Sequence, residues 1–272
     1  MKRSTLASLI SLAGASSVIL CGGSALAATS SFIVDLNKAF DDSYSGVTGT
    51  MNFLFGDAGD SNPNTYTLDL TIKNTSQSPI TASSLTSFAF DTPTGVSSLI
   101  YNNNGTNFFQ TNELTIGSTS FNFCASTDNK NDPSKVNCDS GSTKQGLTQE
   151  PGKREATVKY TFDFAGANPG VSDVSSAFFN LFNSVVLTTP LNQNKADKDT
   201  VVLAARFQGI YSATLSDESD KVTGKPRDKP DDGPGDAVPG PLPVLGGAAA
   251  FVQSRRLRRR LASVRSAQSK HG

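Results

Sequence analysis

Between Thr65 and Lys73 the chain alternates without a break: Tyr66, Leu68, Leu70 and Ile72 are apolar, while Thr65, Thr67, Asp69, Thr71 and Lys73 are polar. Successive side chains of a strand point to opposite faces, so this stretch fits a strand with one buried and one wetted face. The same pattern runs from Thr157 to Phe164, with Val158, Tyr160, Phe162 and Phe164 set against Thr157, Lys159, Thr161 and Asp163. Shorter signals of the same kind lie at Phe32 to Leu36, Val47 to Phe55, Leu85 to Phe90, Ser98 to Tyr101, Ser120 to Cys124 and Val201 to Tyr211. Turn-forming clusters separate them, such as Gly56 to Pro63, Asp91 to Gly95 and Asn102 to Gly105. Many short strands joined by such turns predict an all-β chain, built as a β-sandwich.

One segment departs from that period. Val174, Phe178, Leu181, Phe182, Val185 and Val186 recur at steps of three and four, which is helical spacing. Pro169 and Gly170 precede them, and Ser172 or Asp173 is placed to cap a short amphipathic helix. A Phe stripe at this spacing reads as core packed on a sheet rather than as a ligand box.

The two ends carry different information. Lys2 and Arg3, the apolar stretch Leu6 to Cys21 and the small residues Ser24 to Ala27 have the three-zone order of a secretory signal peptide, residues 1–27. Ala25 and Ala27 fit the small-x-small rule, so signal peptidase is expected to cut between Ala27 and Ala28. Serines and Gly14 interrupt the apolar run, which argues against a lasting anchor, and Cys21 follows Leu20 rather than the small residue of a lipoprotein site. Export leaves Cys124 and Cys138 as a pair flanking a hydrophilic loop. An oxidising compartment would join them, whereas free thiols or half of a metal site are the alternatives. No third Cys, and no His before His271, is present to complete a zinc shell in the mature region.

After Leu215 the composition shifts to charge, proline and glycine, which predicts a disordered linker over 216–237 and a domain over 28–215. There follow Val238, Pro239, Gly240, Pro241, Leu242 and Pro243, an apolar run to Val252, and the cluster Arg255, Arg256, Arg258, Arg259 and Arg260. The eleven residues from Leu242 to Val252 make a helix of about 17 Å, short against a hydrocarbon core of about 30 Å. The arginines nevertheless stop passage and mark the cytoplasmic side. Residues 262–272 form a basic tail.

This three-part tail, 238–261, resembles the PEP-CTERM sorting signal in its cyanobacterial form. Gly240 stands where Glu gives the family its name, and the chain runs on past the arginines. Leu70 to Ser76, Ser87 to Asp91, Arg206 to Ile210 and Ser219 to Val222 are similar to stretches shared by exported members of the group. The resemblance implies an exosortase-like membrane enzyme as processing partner, a short transmembrane helix before processing, and a cell-surface, outer-envelope or matrix location. It assigns no activity to the domain.

The residues themselves exclude some classes. The only His is His271 and no Gly-x-Ser-x-Gly elbow occurs in the mature region, which rules out a triad hydrolase. Asp41, Asp42, Asp69, Glu113, Glu155 and Asp163 supply carboxylates for glycoside cleavage, but nothing distinguishes a pair. Asp57, Asp60 and Asn62, and Asp128, Asn129, Asn131 and Asp132, are oxygen-rich loops that turn chemistry explains as well as calcium does. The basic residues gather after Arg255 and leave the rest net acidic, so nucleic acid is not an expected partner. The expected surface is rich in Thr, Ser and Asn, which suits extracellular polysaccharide, although the chain has no Trp to stack on sugar rings. These features predict an exported structural or adhesive protein, not an enzyme, with no cofactor or metal. The rival reading is an exported glycan-binding lectin or glycan-active enzyme.

Overall fold

A computed structural model describes residues 28–40, 44–127, 137–139, 141–167, 169–187 and 196–227. The expected signal peptide, the expected sorting motif at 238–243, the arginine cluster and the basic tail therefore lie outside the described residues. So do Asp41, Asp42, Asp128, Asn129, Asn131 and Asp132.

The protein is all-β with one short helix. Its strands are β1 (Thr29–Ala39), β2 (Gly49–Asp57), β3 (Thr65–Asn74), β4 (Ala82–Phe90), β5 (Val96–Asn102), β6 (Phe109–Gln110), β7 (Thr115–Ile116), β8 (Thr119–Ser120), β9 (Phe123–Ser126), β10 (Glu155–Phe164), β11 (Leu203–Tyr211) and β12 (Glu218–Pro226). Ten of them form a single antiparallel sheet in the order β5-β10-β3-β2-β1-β12-β11-β4-β9-β6, and β7 with β8 makes a separate hairpin. The strands expected to form a sandwich are thus continuous with one another. The sheet is nearly closed, and its two halves meet across the core. Phe90 and Phe123 from one half lie 5.6 and 5.1 Å from Tyr160 of the other, ring centre to ring centre, and Tyr101 lies 5.2 Å from Phe123.

The alternation seen in the sequence is what buries this core. Tyr66, Leu68, Leu70 and Ile72 of β3, and Val158, Tyr160 and Phe162 of β10, all point inward. The outer faces of the same strands carry Thr71 hydrogen bonded to Thr157 at 2.8 Å, and the ion pairs Lys159–Asp69 and Lys73–Glu155, both at 3.2 Å. Helix α1 (Val171–Asn183) covers part of the inner face of β1 and β2. Its Phe178 and Phe182 sit 5.1 and 5.0 Å from Phe55 and Phe53. The N-cap is Gly170, two residues before Ser172 and three before Asp173, and the helix stops short of Val185 and Val186; Asp173 instead reaches back to accept a hydrogen bond from the Gly170 N–H at 2.9 Å.

The sheet is buried on both faces around β4, β9 and β11. Ala89 of β4 and Ala204 of β11 point outward, and their small side chains let a second apolar cluster form there from Phe40, Ile116, Phe121, Val185 and Val201. Residues 137–139 and 141–146 are fastened over this region. Ser87 donates to the Cys138 carbonyl at 2.6 Å, and the Gln208 amide donates to the Gly141 carbonyl at 2.8 Å while accepting from Arg206.

The linker expected over 216–237 starts too early. Residues 218–226 are β12, which lies between β1 and β11, so the folded domain reaches Arg227 rather than Leu215. Val222 is the only large apolar side chain in that strand. Its other buried positions are satisfied locally: Asp220 accepts from the Lys221 and Tyr44 N–H groups, and Thr223 donates to the Leu203 carbonyl at 2.6 Å. A strand paired on both edges is held by its backbone, and hydropathy alone does not reveal it.

Candidate functional site

Of the carboxylates available for acid–base chemistry, the four among the described residues, Asp69, Glu113, Glu155 and Asp163, are each engaged on the surface. Asp69 and Glu155 pair with the lysines named above, and Asp163 accepts from Thr65 and Asn62 at 2.9 and 3.2 Å. Glu113 accepts from the Thr115 hydroxyl at 3.4 Å. The loop oxygens of Asp57, Asp60 and Asn62 each accept a backbone N–H two residues on, at 2.8, 2.8 and 3.1 Å, which is Asx-turn geometry. Among the described residues no three His, Cys, Asp or Glu side chains gather as a metal site. Among them, too, no helix is long and apolar enough to cross a membrane.

Cys124 in β9 and Cys138 in the covering segment are joined as a disulfide with Cα atoms 6.1 Å apart, both fully buried in the outer cluster. The bond ties the covering segment to the sheet. Ala28 stands exposed one residue before β1, which puts the expected signal-peptidase cut at the edge of the folded domain.

Two tyrosines face each other inside the core, 5.3 Å apart. Tyr101 donates to the Phe108 carbonyl at 3.0 Å, whereas the Tyr160 hydroxyl is buried with no hydrogen-bond partner among the described residues. Burial pushes both hydroxyl pKa values up; Tyr101 adds to the effect on Tyr160, and a hydrogen bond involving Thr106 opposes it at Tyr101. Aromatic rings enclose Tyr160, so it is a core group rather than a proton donor to substrate. Arg206 is also largely buried; desolvation lowers its pKa and Asp139, 3.7 Å away, opposes that.

A surface groove of about 300 Å³ opens where the start of β4 meets the end of β11. At its floor Gly209 has φ +58°, and the pairing of β11 slips on both sides of it: Phe207 and Ile210 bracket the shift against β12, Gln208 and Tyr211 that against β4. Such a bulge redirects the side chains that follow it. Tyr211, two residues on, is 41% exposed and lines the groove. Ser84 donates to the Thr143 carbonyl at 2.9 Å, Thr81 to the Tyr211 carbonyl at 3.1 Å, and Gln149 through Nε2 to the Ser76 carbonyl at 2.9 Å. Asp217, another residue of the lining, has φ +62°. The sequence did not single out this groove. Its one local signal is Gly209, an isolated glycine inside a strand.

Comparison of the chain with protein-family models, with curated proteins and with solved structures gives no match.

Proposed function

We propose that the protein is an exported cell-surface or extracellular-matrix component of structural or adhesive kind, sorted through its C-terminus by an exosortase-like enzyme. The observation that carries this reading is the order of segments in one chain: a signal peptide over 1–27, an all-β domain, then the proline motif, short apolar run and arginine cluster of 238–261. The two facing halves of the rolled sheet serve as a sandwich-like body. Its outer strand faces offer threonine hydroxyls and paired charges, a surface suited to weak, repeated contacts with hydrated polymers. The buried disulfide suits an oxidising exterior.

The test is loss and restoration in the native host. Cells lacking the chain should cohere or attach less well, and purified full-length protein added from outside should restore the behaviour. Unchanged cohesion, together with recovery of the chain only from the cytoplasm, would overturn the reading. An enzymatic role finds less support, because Asp69, Glu155 and Asp163 are taken up by lysine and hydroxyl partners. A glycan-binding role is favoured by the groove beside Tyr211.

A further inference from the structure

We infer that the groove between the start of β4 and the end of β11 is a saccharide site that takes a short, neutral stretch of a glycan. The inference adds a ligand to the adhesive reading but rests on the groove's own geometry.

Shape comes first. A volume of about 300 Å³ lies at the small end of ligand pockets, which run from about 300 to 1,000 Å³. It admits a short sugar segment and is too small for a large cofactor. Gly209 lets the lining residues close in beside it: a Cβ there would stand 3.3 Å from Thr143 Cγ2 and 3.9 Å from Tyr211 Cε2.

Chemistry narrows the ligand. Tyr211 is an exposed aromatic residue on the groove wall, placed there by the bulge at Gly209, and an aromatic ring is the surface on which the apolar face of a sugar stacks. The polar groups around it are already held in place. The Thr81 and Ser84 hydroxyls and the Gln149 Nε2 each spend a hydrogen on a backbone carbonyl, so Thr81 Oγ1, Ser84 Oγ and Gln149 Oε1 are left with acceptor capacity. The carboxylates of Asp217 and Glu150 add further acceptors. A site rich in acceptors wants a ligand rich in donors, as sugar hydroxyls are. Glu150 is already paired with Lys153 at 2.9 Å, which mutes its pull on a cationic sugar, and among the described residues that line the groove there is no Lys or Arg, so a uronate would meet Asp217 without a counter-charge.

Asp217, a non-glycine residue held at φ +62°, lines the same groove.

The experiment titrates purified full-length chain with short neutral hexose oligosaccharides, with uronate oligosaccharides and with protonated amino-sugar oligosaccharides. The neutral set should bind. Tyr211→Phe should keep that binding, while Tyr211→Ala and Thr143→Phe, which remove the ring and fill the groove respectively, should each weaken it about tenfold or more. Circular dichroism melting checks that the variants fold, and if Tyr211→Ala does not, Thr143→Phe decides. Neutral binding that survives both substitutions, binding of only the charged sugars, or no binding at all would overturn the proposal. The assay involves no sorting step, so its failure leaves the reading of the tail standing, and failure of tail processing leaves the binding result standing.

Discussion

Gly224 of β12 crosses the backbone of Asp35 in β1 so closely that a Cβ on it would fall inside van der Waals contact with the Asp35 carbonyl oxygen, and 3.1 Å from Leu36 Cα. Gly224 pairs with Leu36 at the point where the register of β1 slips before Lys38. The obstacle is backbone, which cannot swing aside as a side chain does. Gly224→Ala should therefore separate β12 from β1 and destabilise the domain by about 1–3 kcal/mol, the cost of overpacking. A urea midpoint within error of the parent would show that the strands are not so close.

The same strand gives a second expectation. Ending the chain after Leu215 leaves the backbone groups of β1 and β11 that face β12 without partners. That truncation should lose cooperative unfolding, whereas ending the chain after Arg227 should keep it. Limited proteolysis of the full chain should correspondingly leave a fragment that retains Glu218–Pro226. A stable, cooperative 28–215 fragment would restore the boundary that the composition suggested.

What was legible in the sequence follows from where the stabilising groups sit. In β3 and β10 the inward side chains carry the energy, and Tyr66 to Ile72 and Val158 to Phe162 announce it by alternation. The three- and four-residue steps of Val174, Phe178, Leu181 and Phe182 likewise placed α1. In β12 the work is done by backbone pairing, by Asp220 caught between N–H groups, and by a glycine at a close approach, so its residues read as linker. The two-residue strands β6, β7 and β8 are too short to show a period. The groove was hidden for a related reason: Tyr211 faces outward because the bulge at Gly209 shifts the register, and alternation counted across a bulge assigns the wrong face.

A third prediction concerns the facing tyrosines. The Tyr160 hydroxyl is buried without a partner among the described residues, and burying an unpartnered hydroxyl costs about 1–3 kcal/mol. Tyr160→Phe should therefore leave stability unchanged or raise it by about 1 kcal/mol. Tyr101→Phe should lower stability, because it strips the Phe108 carbonyl of its 3.0 Å hydrogen bond. Denaturant midpoints of the two variants check the order. A larger loss from Tyr160→Phe than from Tyr101→Phe would mean that the Tyr160 hydroxyl has a partner after all.

The disulfide makes a fourth. Cys124 and Cys138 are 14 residues apart, and closing a loop of about 15 residues restricts the unfolded chain by about 3 kcal/mol in the chain-entropy model. Reduction should lower the unfolding midpoint accordingly. It should also expose residues 137–139 and 141–146 to proteases, because the bond ties that cover to β9. Alkylation of the secreted form before reduction should label neither cysteine, and two labelled thiols would refute the pairing.

The last prediction concerns the tail that we propose to be a sorting signal, and its basis is physical. An apolar run of eleven residues, Leu242 to Val252, covers little more than half of a hydrocarbon core of about 30 Å, and Pro239, Pro241 and Pro243 resist extending the helix outward. The bilayer must thin around it, or a protein must host it, so the segment suits a signal held briefly better than an anchor kept for the life of the cell. Arg255, Arg256, Arg258, Arg259 and Arg260 hold it in place, since each arginine costs about 2.5–3.5 kcal/mol at the membrane centre on insertion scales. Replacing all five with Ser should let the tail slip through to the exterior. Replacing Pro239 and Pro241 should instead leave an uncut precursor in the membrane. The decisive measurement is the intact mass of the protein from its native host with the mature C-terminus mapped: processing should end the chain between Pro239 and Pro243. Full-length chain through Gly272 in washed membranes, with no shorter form outside the cell, would leave a simple single-pass anchor.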